Sequence, residues 1–205
     1  VLVQNAEMKR YIHQYFGRKV IVKILDLRSS AFGWPEFFRK GRDSSRLHEN
    51  VIRLIYPAAF VPHKNHNLLL SIERGLGVEV SVTVDKNLIR EHDSISCIGQ
   101  VPREAIFEFY KRTDALLFLS SNESLGMPIL EAIKCNLPIV CPRAEYTKEL
   151  SGENCFFFDL DRPETLELAL VALRNKLLSG WWPNWNFDRQ FSNPGHFPIG
   201  AIVLK

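Results

Sequence analysis

Two carboxylates, Glu123 and Glu131, stand eight positions apart across a helix start marked by Gly126 and Pro128. They sit in the run Asn122-Glu123-Ser124-Leu125-Gly126-Met127-Pro128-Ile129-Leu130-Glu131. An apolar segment precedes it (Ala115-Leu116-Leu117-Phe118-Leu119) and another follows (Leu137-Pro138-Ile139-Val140), a pattern that reads as strand, ligand-facing turn, helix, strand. In an open α/β sheet, a turn at the carboxyl end of a strand is where ligands sit. Unpaired N–H groups and the helix dipole at such a start favour an anion. Acids beside them can accept hydrogen bonds from sugar hydroxyls. Phosphate together with sugar points to a nucleotide-sugar.

Each residue also has a plainer reading. Glu131 could be a first-turn acid on the helix dipole, and Glu123 an acid near the helix cap. Eight residues of helical rise separate groups by roughly 12 Å, whereas a retaining glycosidase pair needs about 5 Å. Glu123 lies ahead of the helix, so that separation is open, but a double-displacement pair is not favoured. Gly126 and Met127 would present backbone N–H groups to the anion, and Gly126 can take a positive φ in a tight turn. Ser120 and Ser121 could cap the helix or touch phosphate, and capping is the simpler account. Gly99 to Val101 forms a strand-end turn that could receive a base through backbone groups. Lys64 lies in a loop between a strand and a helix, where a solvated surface lysine is the ordinary expectation.

Two further patterns resemble metal sites. Asp159-Leu160-Asp161 precedes Pro163 as an ordinary turn would. His63-x-x-His66 has no evident third ligand. No metal and no cofactor is expected.

The elements that must position these residues follow from composition and periodicity. The 205 residues support one large domain, or one domain plus attachments. Hydrophobic content of 46% with 24% charged residues is ordinary for a soluble globular chain, and a net charge of +3 does not argue for nucleic acid. Cys97, Cys135, Cys141 and Cys155 form no CxxC pair, and read as reduced, mostly buried thiols of a cytosolic protein. No apolar run approaches a membrane span and no signal peptide is visible. The chain starts at Val1 without methionine, which raises the expectation of a missing N-terminal part.

Val1 to Val3 reads as a strand end, Ala6 to Phe16 as a helix, and Lys19 to Ile24 as a strand. Residues 26–50 read as loop or linker. From Val51 the pattern is regular: strands at Val51 to Tyr56, Val78 to Val84, Ser94 to Ile98, Ala115 to Leu119, Pro138 to Cys141 and Cys155 to Phe158. Helices are expected at Asn65 to Arg74, Arg103 to Arg112 and Glu164 to Leu178. Alternating elements of this length imply parallel pairing with right-handed crossovers, an α/β Rossmann-like sheet of about six strands with helices on both faces. After Gly180 the periodicity stops, and the tryptophans of Trp181-Trp182-Pro183-Asn184-Trp185 read as an aromatic clamp on the domain.

The Glu-x7-Glu block with its inner Gly and Pro resembles the donor-site motif of retaining glycosyltransferases of family 4, which have the GT-B fold. The likeness runs from about Val51 to Lys176. It takes in Phe60-Val61-Pro62-His63-Lys64-Asn65-His66, similar to the lysine loop after the first strand of that family's C-terminal domain. It also takes in Cys97-Ile98-Gly99-Gln100-Val101, like its Gly-x-Val turn, and Tyr146-Thr147-Lys148-Glu149-Leu150, like its short Pro-Glu-Val segment.

The resemblance implies transfer of a sugar from a nucleoside diphosphate sugar to an acceptor hydroxyl, with retention and without metal. Glu123 and Lys64 would carry the chemistry. Lys64 would neutralise the diphosphate leaving group as charge builds on it, and Glu123 would contact the donor sugar. Glu131 would accept from the ribose hydroxyls. Gly126, Met127, Leu125, Leu130, Ser120, Gly99 and Val101 would complete the donor site, with Leu125 standing where the family commonly has Phe. Glu123, Glu131 and Lys64 should then open onto one shared hollow. The family's phosphate-clamping Gly-Arg pair is replaced by Ala58-Ala59, leaving Arg53, Lys148 or Arg143 to supply a second cation.

The implied division is 1–25 as the remnant of an acceptor domain, 26–50 as linker, 51–180 as the donor-binding domain and 181–205 as an irregular tail. The expected partners are a nucleotide-sugar donor and a sugar or lipid-linked acceptor, with no nucleic acid. The expected location is cytoplasmic, with the inner membrane face and peripheral membrane association left open. Two alternatives stand beside transfer: a non-catalytic nucleotide-sugar binding module that needs a partner chain, and a GT-B-like epimerase or phosphorylase.

Overall fold

The computed structural model of the protein describes residues 2–3, 6–19, 23–26, 41–42, 49–123, 126–152, 154–185 and 197–198. Near the amino end lie β1 (Leu2–Val3), α1 (Ala6–Phe16) and β2 (Lys23–Asp26). The main unit then runs through β3 (Ile52–Tyr56), β4 (Val78–Val82), β5 (Ile95–Cys97), α2 (Ile106–Arg112), β6 (Ala115–Leu117) and α3 (Met127–Lys134). It continues with β7 (Ile139–Pro142), α4 (Glu145–Ser151), β8 (Phe156–Phe158) and α5 (Glu164–Leu178), and β9 (Phe197–Pro198) comes last.

Six strands form one sheet in the order β5-β4-β3-β6-β7-β8, every neighbouring pair parallel. This is the Rossmann-like α/β sheet expected from the sequence. Because a parallel sheet is buried on both faces, its central strands are apolar at nearly every position. Alternate side chains feed two cores. Ile52, Leu54, Tyr56, Val80 and Leu117 face α5, which contributes Leu166, Leu170, Leu173 and Leu177. Ile55, Leu116, Phe118 and Ile139 face the other way, against Ile106 and Tyr110 of α2 and Ile129, Leu130 and Ile133 of α3.

Local structure departs from expectation in three places. The helix expected over Asn65 to Arg74 is instead two 3-10 turns, Pro62–Lys64 and His66–Ser71. Asn65 between them is left-handed, at φ 51°, and its N–H closes on the Pro62 carbonyl, so no α-helix can run through it. Leu68, Leu69 and Ile72 still point into the core. The segment around Tyr146 proves to be helix α4. The helix expected from Arg103 opens as a 3-10 turn, Arg103–Ala105, before becoming α2.

At the ends of the chain, β1, β2 and β9 make a separate three-stranded parallel sheet in the order β1-β2-β9. Arg10 of α1 forms a salt bridge to Glu145 of α4. Most of the linker expected over 26–50 lies outside the described residues. Within it, Arg42 lies 3.4 Å from Asp114, and both side chains are almost fully buried. The tryptophans behave as a clamp. Trp182 Nε1–H donates to the Asn136 carbonyl at 2.8 Å, and Trp185 Nε1–H to the Leu137 carbonyl at 2.8 Å. Trp185 is a core residue, so the unit expected over 51–180 extends to it. Cys97, Cys135 and Cys141 are buried and Cys155 partly so, all as free thiols.

Candidate functional site

The carboxyl ends of β3 and β6 lie side by side, and the loops that leave them are bonded together. Ser121 N–H donates to the His63 carbonyl at 2.8 Å, and Asn65 Nδ2–H to the Leu119 carbonyl at 2.8 Å. Tyr56 O–H donates to the Lys64 carbonyl from below, and burial pushes this phenol far above its ordinary range, so it remains a donor. Tyr146 O–H donates in the same way to the Ser120 carbonyl.

These bonds bring Lys64 against Glu123, 59 residues apart in sequence, and the two form an ion pair. Their side chains are only 15% and 14% exposed, so each depends on the other for its charge balance.

Past the pair, the chain reaches Gly126 and turns into α3. Gly126 sits at φ 60°, and a Cβ there would lie 2.5 Å from the Leu150 side chain. A left-handed cap favours glycine, and a methyl there would also have to displace the tip of Leu150. Pro128, within the first turn, suits a helix start. One turn into α3, Glu131 is 5% exposed, and its Oε2 accepts the Tyr110 hydroxyl at 2.9 Å. Burial pushes the Glu131 carboxyl above its usual range, opposed by the Tyr110 hydrogen bond and the charge of Arg103. Burial and the neighbouring Glu131 charge raise the Tyr110 phenol well above its own range, which keeps its proton available.

Glu131 lines a hollow of about 530 Å³ with Met127 and Pro128. Ala58, Ala59 and Phe60 form part of its wall, and Asp85, Gln100, Val101 and Arg103 another part. Of the three charged residues expected to share one hollow, Glu131 alone lines it. Lys64 and Glu123 face each other instead, because two opposite charges with little exposure satisfy one another first. The backbone turn at Gly99 has φ 77°, and a Cβ there would sit 3.8 Å from Asp85 Oδ1. Leu125 lies outside the described residues, and Leu130 is buried in the core behind α3.

The serines do not cap α3. Gly126 is its cap, with no side-chain bond to the helix. Ser120 is fully buried, and Ser121 Oγ donates to the His63 carbonyl at 3.2 Å. Two of the candidate second cations are engaged elsewhere: Arg53 with Glu49 and Glu79, Arg143 with Asp159 and over the Phe157 ring. Lys148 is exposed on α4 and does not line the hollow. Arg103 does line it, and nothing in the sequence reading singled it out. The available signal was its place at i−3 from Ile106 and i−7 from Tyr110 on one helical face.

His66 and Asp159, one from each metal-like pattern, have packing or pairing partners within the protein. His66 is packed between Tyr56 and Phe60, with ring centroids 5.1 and 5.2 Å away. Burial, then the charge of Lys64, lowers its imidazole to about 4. Asp159 pairs with Arg162 and Arg143 in the turn before α5. Among the described residues no three His, Cys, Asp or Glu side chains gather as a metal site.

The chain is similar to the serotype-specific mannosyltransferase WbdA of Escherichia coli, 25% identical over 136 residues, covering 66% of this chain and 17% of that protein. It therefore spans a small part of that curated relative's length. Its fold matches a variant of S. aureus TarM solved with Fondaparinux, alpha-GlcNAc-glycerol and UDP, at TM-score 0.64 and 15% identity, covering 87% of this chain and 37% of that one. It also matches the pneumococcal O-GlcNAc transferase GtfA solved with UDP and GlcNAc, at TM-score 0.60 and 15% identity, covering 87% and 38%. Residues 86–173, less than half of the chain, match the family model described as "Glycosyl transferases group 1", and the sheet has the fold seen in these solved glycosyltransferases.

Proposed function

We propose that the chain is the donor-binding part of a retaining, metal-independent glycosyltransferase of family 4, which moves a sugar from a nucleoside diphosphate sugar to an acceptor hydroxyl. The observation that carries this reading is Glu131, a buried acceptor one turn inside α3, facing a 530 Å³ hollow at the carboxyl ends of parallel strands. A diphosphate at the Gly126–Met127 helix start gains from the backbone N–H groups and the helix dipole. The ribose then lies toward Glu131. Lys64 carries the charge that grows on the leaving diphosphate, and Glu123 turns from Lys64 to a sugar hydroxyl. In this reading residues 1–25 belong to an acceptor domain and the acceptor is a sugar, free or lipid-linked, of a surface polysaccharide. Support for that class comes from the mannosyltransferase relatives and from neighbours solved with UDP. A cytoplasmic site of action at the inner membrane face belongs to the same proposal; no described helix is long and apolar enough to cross a membrane.

Calorimetric titration of the chain with uridine, guanosine and adenosine diphosphates tests the reading. Saturable binding of one of them, weakened in Glu131→Ala, is expected. Absence of binding by all three would falsify it.

A further inference from the structure

Arg103 opens the 3-10 turn that runs directly into α2. Arg103, Ile106 and Tyr110 recur at i, i+3 and i+7, one face of that helical stretch. This face turns toward α3. Arg103 and Ile106 line the hollow together with Glu131, and Tyr110 donates to Glu131 Oε2 at 2.9 Å. Among the described residues that line the hollow, Arg103 is the one cation.

Among the described residues, Arg103 is the one positive charge that acts on Glu131. Cys135, one turn further along α3, acts on Tyr110. Asp85 lines the same hollow and carries the same sign as Glu131. Burial disfavours the ionised form of Glu131, while the Tyr110 hydroxyl and the Arg103 charge favour it. A carboxylate can accept from two neighbouring hydroxyls at once, whereas a protonated carboxyl has given up part of that capacity.

We propose that Arg103 is a positioning residue for Glu131: from the turn ahead of α2, its guanidinium keeps the Glu131 side chain a full acceptor toward the hydroxyls of a ligand in the hollow. This rests on reading Glu131 as the group that faces the donor. Arg103 is an exposed residue that lines the same hollow as Glu131, so its charge borders the space that a ligand would fill.

The test has two arms. Carboxyl carbon-13 NMR follows the titration of Glu131 in the ligand-free chain and in Arg103→Gln and Arg103→Lys. Calorimetry measures binding of uridine, guanosine and adenosine diphosphates by the same proteins from neutral to acid pH. In Arg103→Gln the Glu131 titration is expected to move to higher pH. Its affinity deficit is expected to grow as pH falls, by roughly threefold to tenfold. Arg103→Lys is expected to restore both. An unmoved Glu131 titration with intact nucleotide binding overturns the inference and leaves the donor-binding reading standing. An affinity deficit of the same size at every pH also overturns it, since that marks direct ligand contact alone. If the parent chain binds none of the nucleotides, the donor-binding reading falls and this inference falls with it.

Discussion

Tyr110 and Glu131 share one hydrogen bond, 2.9 Å long, between two helices that otherwise meet through apolar side chains. Glu131 is half of the Glu-x7-Glu pattern, yet it is anchored in the core by a residue 21 positions earlier. Tyr110→Phe is expected to cost about 1–3 kcal/mol, because it leaves a buried carboxylate oxygen without its donor. Urea unfolding reads the loss; a variant as stable as the parent would show that water replaces the hydroxyl freely.

The Lys64–Glu123 pair gives a second expectation. Lys64→Ala removes the cation proposed for the diphosphate and leaves Glu123 poorly solvated. Nucleoside diphosphate affinity should fall about tenfold or more, as expected for loss of a charge-assisted contact. Binding of the matching nucleoside, which has no phosphate, should change far less. Equal losses for both ligands would place Lys64 away from the phosphates.

A side chain at Gly126 should be destabilising, chiefly through its positive φ. Gly126→Ala places a β-carbon in the left-handed region and against Leu150, at an expected cost of about 2–4 kcal/mol. Leu150→Ala in the same chain should recover the steric part and not the backbone part. Full recovery in the double variant would mean that backbone strain contributes nothing.

His66 gives a pH dependence with a definite sign. Folded, its imidazole is held at about 4, against an ordinary value of 6.5. As pH falls through that window the unfolded chain takes up a proton that the folded chain refuses. Stability present above 6.5 is therefore lost progressively down to 4. His66→Gln is expected to remove a pH-dependent loss on the order of 2 kcal/mol. Urea midpoints of parent and variant at neutral pH and near the lower bound check this, and parallel slopes count against it.

Much of the fold was legible because burial on both faces leaves apolar strands that stand out against their turns. β3, β6 and β7 were found this way, as was α5 from its leucine stripe. The start of α3 was legible because Gly126 and Pro128 have few other uses at that spacing. What was hidden depended on contacts between distant segments. The left-handed Asn65 that separates the 62–64 turn from the 66–71 turn carries no composition signal. The union of Lys64 with Glu123 arises only when β3 and β6 become neighbours. Arg103 was hidden because it entered only as the first residue of an expected helix, and its place on the hollow depends on how that helix packs beside α3. The packing of Trp185 was legible as part of an aromatic clamp, but its depth in the core was not, since the segment after Gly180 has no periodicity.

Asn136 ties the two ends of this arrangement. It holds φ 57° at the turn after α3, its carbonyl receives Trp182, and its side-chain oxygen receives the Trp185 N–H at 2.8 Å. The foot of the helix whose head would meet the ligand is thus bolted down by residues that look dispensable on paper. Anyone trimming this chain to a minimal fragment should cut beyond Trp185, because stopping at Gly180 unfastens α3 from the end opposite the hollow.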